Sequence, residues 1–189
     1  MPRLRHVRMR MRPVSSRAYA PMPERIETER LTLRLRGPAD AGWNLELRGE
    51  SGHPQRNRSL REEARYLGKQ RAQARLDGFG FLAVRRRLTG DPIGYVGLLV
   101  GRASFEEPEL AYELLRRARG LGYATEASRA VVDAAFATGR SRLWSTVRPW
   151  NTASLRVLDR LGFHSDHETT DADGDLIWLV CESWMPKAG

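Results

Sequence analysis

"RARGLGYATEA" (residues 117–127) sets two glycines, Gly120 and Gly122, just ahead of a segment whose pattern turns helical. Upstream, "PELAYELLRR" (108–117) places Leu110, Tyr112 and Leu114 on one face and Glu109, Ala111 and Glu113 on the other, the period of a half-buried strand. Downstream, Ala124, Ala127, Val131, Ala134 and Ala135 recur at helical spacing. Glu126, Arg129 and Asp133 are expected on that helix's solvated face, and Gly139 ends it. Where a helix begins, its first N–H groups lack intrahelical acceptors, so the segment reads either as a plain turn or as a cradle for phosphate. It is not a dinucleotide fingerprint, because Thr125 stands where the third glycine belongs and no acid ends the next strand. Nor is it a P-loop, which needs Gly-Lys-Ser/Thr at its end.

Outward from this segment the chain alternates strand and helix patterns. "TERLTLRLR" (28–36) buries Leu31, Leu33 and Leu35 at period two, and ordered structure is expected to begin there. Pro38 and Asp40 start a helix through Trp43, Leu45 and Leu47, and residues 49–57 read as a loop. Ser59 and Glu62 form a capping box for a second helix with Leu60, Ala64, Leu67 and Ala74 inward. Residues 80–101 form a hairpin around Thr89-Gly90-Asp91-Pro92. "SRLWSTV" (141–147) is a strand, 152–161 a short helix closed by Gly162, and 162–184 a hairpin over Asp173-Gly174. This order predicts an α/β domain with a twisted, largely antiparallel sheet, about four helices, and one parallel crossover carried by the glycine helix.

Composition narrows the function classes. At 189 residues, with 41% hydrophobic and 29% charged, the chain suits one globular domain with a full core. No apolar run is long enough to cross a bilayer. The single cysteine, Cys181, sits in an apolar run and reads as a buried thiol, in keeping with a reducing cytoplasm. The net charge of +9 suggests nucleic acid until it is located: Arg3, Arg5, Arg8, Arg10, Arg12 and Arg17 supply six of it in an acid-free stretch. Residues 1–22 therefore read as a basic, disordered extension, with Met22 as an alternative start, and residues 23–189 as the working domain. A nucleic-acid-binding module that uses the arginine tail is the alternative from a different class.

With these elements in place, the chain resembles the GNAT superfamily of acyl-CoA-dependent N-acyltransferases, within it the RimJ/RimL-like branch. The family's Arg/Gln-x-x-Gly-x-Gly/Ala signature appears as Arg119, Gly122 and Ala124, followed by "YATEA" at 123–127. An Asn-x-x-Ser opening a short helix appears as Asn151 and Ser154, and that helix ends in "RLGF" at 160–163. The opening "TERLTLRL" is a third mark, and together they run from residue 28 to about 184 in family order.

The resemblance implies acetyl-CoA as co-substrate, an amine acceptor that is either a protein N-terminus or a small molecule, and no metal. It also admits a homodimer and a CoA-binding protein without turnover. The pyrophosphate would meet the amides of Leu121, Gly122, Tyr123, Ala124 and Thr125 across a loop that Gly120 and Gly122 keep open, with Arg119 adding charge and Arg116 or Arg117 beside it. The pantetheine arm would pair with the strand edge at Leu114 and Arg116, with Asn151 as a further partner. Glu109 and Glu113 share one face and compete for the role of base, with Asp166, His164 and His167 as weaker candidates. Ser154 matches the residue that protonates the leaving thiolate in related enzymes.

Overall fold

A computed structural model describes residues 19–51 and 58–183. Strands β1 (Arg25–Glu27) and β2 (Leu31–Leu35) are followed by a 3-10 turn over Pro38–Asp40 and helix α1 (Ala41–Ser51). Helix α2 (Leu60–Asp77) leads into β3 (Phe81–Arg86), β4 (Pro92–Leu99) and β5 (Glu109–Leu114). Helix α3 (Tyr123–Ala137), β6 (Arg142–Val147), α4 (Thr152–Leu161), β7 (His164–Asp171) and β8 (Gly174–Glu182) complete the order. The eight strands form one open sheet, β1-β2-β3-β4-β5-β6-β8-β7. Every pairing is antiparallel except β5 with β6, which α3 joins as a crossover.

The parallel pair is where the sheet comes apart. β4 and β5 pair along their length, from Leu99↔Glu109 to Gly94↔Leu114, but β5 meets β6 only at Glu109↔Trp144. Beyond that point the strands diverge. The main chain of Leu115 donates to Ile93, so by alternation the N–H and C=O of Tyr112 and Leu114 turn from β4 toward the gap.

Two layers of helix close the sheet. On one face Leu31, Leu33, Val84, Ile93, Leu98 and Leu110 pack beneath Ala127, Val131, Ala135 of α3 and Leu158 of α4. A fully buried leucine of this kind contributes about 1.5–3 kcal/mol over an exposed one. On the other face Trp43 and Leu47 of α1 pack on Ala83, Leu115 and Tyr95.

Four expectations change. The sheet starts earlier, at β1, whose Arg-Ile-Glu carries no apolar alternation to announce it. Helix α1 continues through Gly49 to Ser51 where a loop was expected, and the remainder of that loop, 52–57, lies outside the described residues. In α2 the capping box forms as expected, but Leu60 is 59% exposed while Glu63 is fully buried. The N-terminal extension was drawn to residue 22, and residues 1–18 lie outside the described residues. Its last four residues are instead docked: Ala20 N–H donates to Thr138 (3.1 Å), Met22 N–H donates to Gly78 (2.7 Å), and Met22 packs on the core. Among the described residues no helix is long and apolar enough to cross a membrane.

Candidate functional site

The glycine segment lies at the open end of the divergence. Gly120 and Gly122 hold φ of +76° and +81°, a region that residues with a Cβ rarely enter. A Cβ at Gly120 would meet nothing within 4 Å, and one at Gly122 would meet only the Arg30 guanidinium at 3.3 Å. The loop therefore faces open space, and its glycines are required by backbone angle rather than by close packing. Gly122 caps α3, whose first internal bond runs from Glu126 N–H to Gly122 C=O at 3.1 Å. Among the described residues the N–H groups of Leu121, Gly122, Tyr123, Ala124 and Thr125 have no intramolecular acceptor. Five amides without an intramolecular acceptor and the positive end of a 15-residue helix give this loop the electrostatics that suit an anion.

Glu126 was expected on the solvated face of α3. Instead it buckles the helix to the start of the sheet, accepting from Thr28 Oγ1 (2.5 Å), the Arg30 N–H (2.9 Å) and Arg30 Nε (2.6 Å). Burial pushes its carboxyl up, but the three bonds from Thr28 and Arg30 outweigh this and hold it below the ordinary carboxylate range. Arg30 also donates to Leu121 C=O (3.0 Å) and stacks on Tyr123, which fixes the loop's rear wall.

The arginines divide. Arg119 folds back, its Nε donating to Leu114 C=O at 2.8 Å, so one lone pair of that gap-facing carbonyl is taken. Arg116 and Arg117 both turn to α1: Arg116 N–H donates to Glu50 Oε2 (2.7 Å), and the Arg117 guanidinium binds Glu46 and Pro92 C=O. The Arg116 amide, expected at the pantetheine edge, is thus occupied by a carboxylate.

At the other side of the gap, Asn151 caps α4, its Oδ1 accepting from Ser154 N–H at 3.2 Å. Tyr112 spans the gap from β5, its hydroxyl donating to Ser154 C=O at 3.1 Å. Burial pushes its phenol up to about 12, so it stays a neutral donor at ordinary pH. Only the contact across the gap reveals its role, since in sequence Tyr112 is one more apolar position of β5.

The two acids of β5 part company. Glu109 is 5% exposed and saturated: it accepts from the N–H groups of Arg102 and Ala103 (3.1 Å for the latter) and from Thr146 Oγ1 (3.0 Å). That carboxylate anchors the loop after β4 to the start of β5 and to β6. Glu113 is half-buried, accepts from Ser51 Oγ and Tyr95 OH (3.2 Å), and borders a cleft of about 220 Å³ under α1 and α2. Burial and the Glu113 charge both push the Tyr95 phenol up. Arg36, Arg48, Asn44, Tyr66 and Gln70 supply the cleft's other polar side chains beside Tyr95, with Leu47 and Phe81 as apolar walls, and none of the polar five is a candidate from sequence. His167 pairs with exposed Asp166 (2.7 Å) and stacks on Trp178, while His164 is exposed; both belong to the last hairpin. Cys181 is buried and its thiol is pushed up by desolvation.

Comparison with known proteins places these features. The family model described as "Acetyltransferase (GNAT) domain" matches residues 30–164. YkkB of Bacillus subtilis, an uncharacterized protein, is 33% identical over 78 residues; the match covers 40% of this chain and 45% of YkkB, so the chain spans under half the length of that relative. The ribosomal-protein-S5-alanine acetyltransferase of Vibrio fischeri superposes with a TM-score of 0.73 at 21% identity, covering 86% of this chain and 99% of that one. RimJ of Mycobacterium smegmatis, solved with CoA-disulfide, gives 0.69 at 22% identity over 81% and 82% of the two chains.

Proposed function

We propose that this chain, which belongs to the GNAT acetyltransferase family, transfers an acetyl group from acetyl-CoA to a primary amine by direct attack in a ternary complex. The observation that carries the reading is the single-pair contact between β5 and β6, with an unfilled row of amides at the mouth of the gap it opens. The donor's pyrophosphate would lie on the amides of Leu121 to Thr125. Its pantetheine would enter the gap beside the main chain of Tyr112 and Leu114, with Asn151 opposite. Arg119 would keep its hold on Leu114 C=O or release it to the phosphates. This puts Arg116 outside the pantetheine contacts, because Glu50 already holds its amide.

The thioester would then stand between Ser154 and the Glu113 cleft. A neutral amine attacks the carbonyl carbon, the C–N bond forms, the C–S bond breaks, and the amine's extra proton must leave. Deprotonating a free lysine at pH 7 costs roughly 4–5 kcal/mol and a chain's N-terminal α-amine only about 1. A carboxylate acting directly or through water suffices for the α-amine, and Glu113, which borders the cleft, would serve while Glu109 is buried under three donors. The thiolate takes its proton from Ser154 or from solvent. A protein N-terminus and a small amine both satisfy this chemistry; a homodimer and a cytoplasmic setting are compatible with it.

The test is ligand-induced stabilisation combined with thiol release. Acetyl-CoA at about 100 times its dissociation constant raises stability by roughly 2.7 kcal/mol. Gly122→Val forces a β-branched residue into a left-handed angle and should abolish that rise while leaving a folded chain. Tight acetyl-CoA binding by Gly122→Val reduces the glycines to a turn and removes this reading. Acetyl-CoA binding without thiol release over a broad amine panel supports a non-catalytic binder instead.

A further inference from the structure

Arg36 is 7% exposed, lies against the cleft beside Glu113, and makes no ion pair among the described residues. The nearby acids are committed elsewhere. Asp40 takes Arg34, Arg85, Trp43 Nε1 and the Gly37 N–H, and Glu63 takes Arg58 and Asn44. Arg36 has only neutral acceptors, Asn44 Oδ1 at 2.9 Å and Gln70 Oε1 at 2.8 Å, and its Nε is buried with no acceptor. Two of five N–H donors are used. The faces of Phe81 and Tyr95, 5.0 and 4.5 Å from the guanidinium carbon, offset part of the desolvation but supply no negative charge.

The side chain is also held rigidly. Asn44 donates its Nδ2 to Glu63 while accepting from Arg36, and Gln70 donates to Tyr66 OH at 2.8 Å while accepting from Arg36. A positioned, buried cation facing a cleft, with no directly paired acid among the described residues, is complementary to an anion that arrives with a ligand. Tyr95 sets the scale of that ligand. Arg36 lies over the face of its ring and its hydroxyl bonds Glu113, so one tyrosine side chain separates cation from carboxylate. The cleft's 220 Å³ equals roughly seven waters at ~30 Å³ each, room for a small molecule.

We infer that the acceptor is a small amino acid, whose carboxylate is held by Arg36 in the cleft while its amine faces Glu113 and the thioester. This deepens the acyl-transfer reading and rests on it for the amine's fate, but the anion site is separately measurable. The experiment uses the full chain with CoA present. First, thermal shift and calorimetry compare a set of L-amino acids with the matching amino-acid amides, which keep the amine and lose the anion. Thiol release then gives kcat/KM for each pair with acetyl-CoA.

The expected result is at least a tenfold preference for acid over amide for the accepted side chain. It should collapse to within about twofold in Arg36→Gln and return in part in Arg36→Lys. If Arg36→Gln does not fold, the Lys variant still decides, because an ammonium keeps the charge but loses the planar fork and must lower the preference. Amides used as well as acids by the unaltered chain overturn the proposal, as does a preference untouched in both variants. Transfer to peptides and to no free amino acid overturns it on size. An Arg36-dependent carboxylate shift with no thiol release keeps the anion site and sinks the transferase reading instead. Neither shift nor transfer for any amino acid sinks the proposal alone when acetyl-CoA is still hydrolysed or transferred to other amines.

Discussion

Glu109 and Glu113 stand on the same face of β5, one at the end where β5 touches β6 and one at the end where it has parted from it. Alternation makes them equivalent, and a single strand gives no reason to choose. Their surroundings differ completely. At the closed end, three donors converge on Glu109 from the β4–β5 loop and from β6. At the open end β6 has moved away, and Glu113 accepts from Ser51 of α1 and from Tyr95 and borders a cleft. An opening sheet thus gives two carboxylates of one face different neighbours: where the strands are still paired the acid ties loop and strands together, and where they part it borders a cleft.

The largest effect that tests this contrast is on stability. Glu109→Ala strands two backbone N–H groups and a buried hydroxyl, a loss of about 3 kcal/mol. In a chain of this size that lowers Tm by roughly 6–12 °C. Thermal unfolding measures it, and turnover per folded molecule well below Tm should hold. A fall under about 2 °C with a collapse in turnover would reverse the assignment and make Glu109 the base.

Glu113→Gln should behave in the opposite way. Gln keeps one acceptor oxygen for Tyr95 OH and turns its NH2 to the Ser51 hydroxyl, which can accept, so Tm should fall less than in Glu109→Ala. Turnover at pH 7 should drop by about 100-fold, the lower range for a general base. The deficit should narrow as pH rises, because the amine then reaches its neutral form without help. A deficit of constant size from pH 7 to 10 points to positioning rather than proton transfer.

The smallest effect is expected across the gap. Thiols have an ordinary pKa of about 8.5, so a thiolate leaves with modest assistance. Ser154→Ala should therefore cost only about tenfold in kcat, with acetyl-CoA affinity intact. Steady-state rates and calorimetry separate the two. Unchanged kcat leaves Ser154 a helix residue, and weakened acetyl-CoA binding makes it a donor-site contact.

Much of the fold could be read directly. Leu31, Leu33 and Leu35 alternate because one face of β2 is buried, and α3 and α4 carry their apolar stripes where the periodicity puts them. Local pattern is enough there because burial of one face dictates it. The glycine segment was legible for the same kind of reason: positive φ at Gly120 and Gly122 is a local demand of the backbone. β1 escapes the pattern because three residues cannot show a period, and α1 runs past Gly49, which looks like a terminator, to Glu50 and Ser51, which bond Arg116 and Glu113 of distant segments.

The functional details divide along the same line. From the sequence alone came the strand, glycine loop and helix in order, the capping Asn151, the family resemblance, and the candidate pair of acids. Only the tertiary structure decided that Arg116 and Arg117 lean on α1, that Glu126 is a tether, and that Glu109 is consumed while Glu113 borders a cleft. It alone showed Arg36 to be a buried cation without an acid. Backbone angles and periodicities are properties of neighbours in the chain, and sequence records them. Whether a charge is satisfied depends on what arrives from 34 residues away, as Gln70 does for Arg36, or from 37, as Thr146 does for Glu109. Nothing local encodes that meeting.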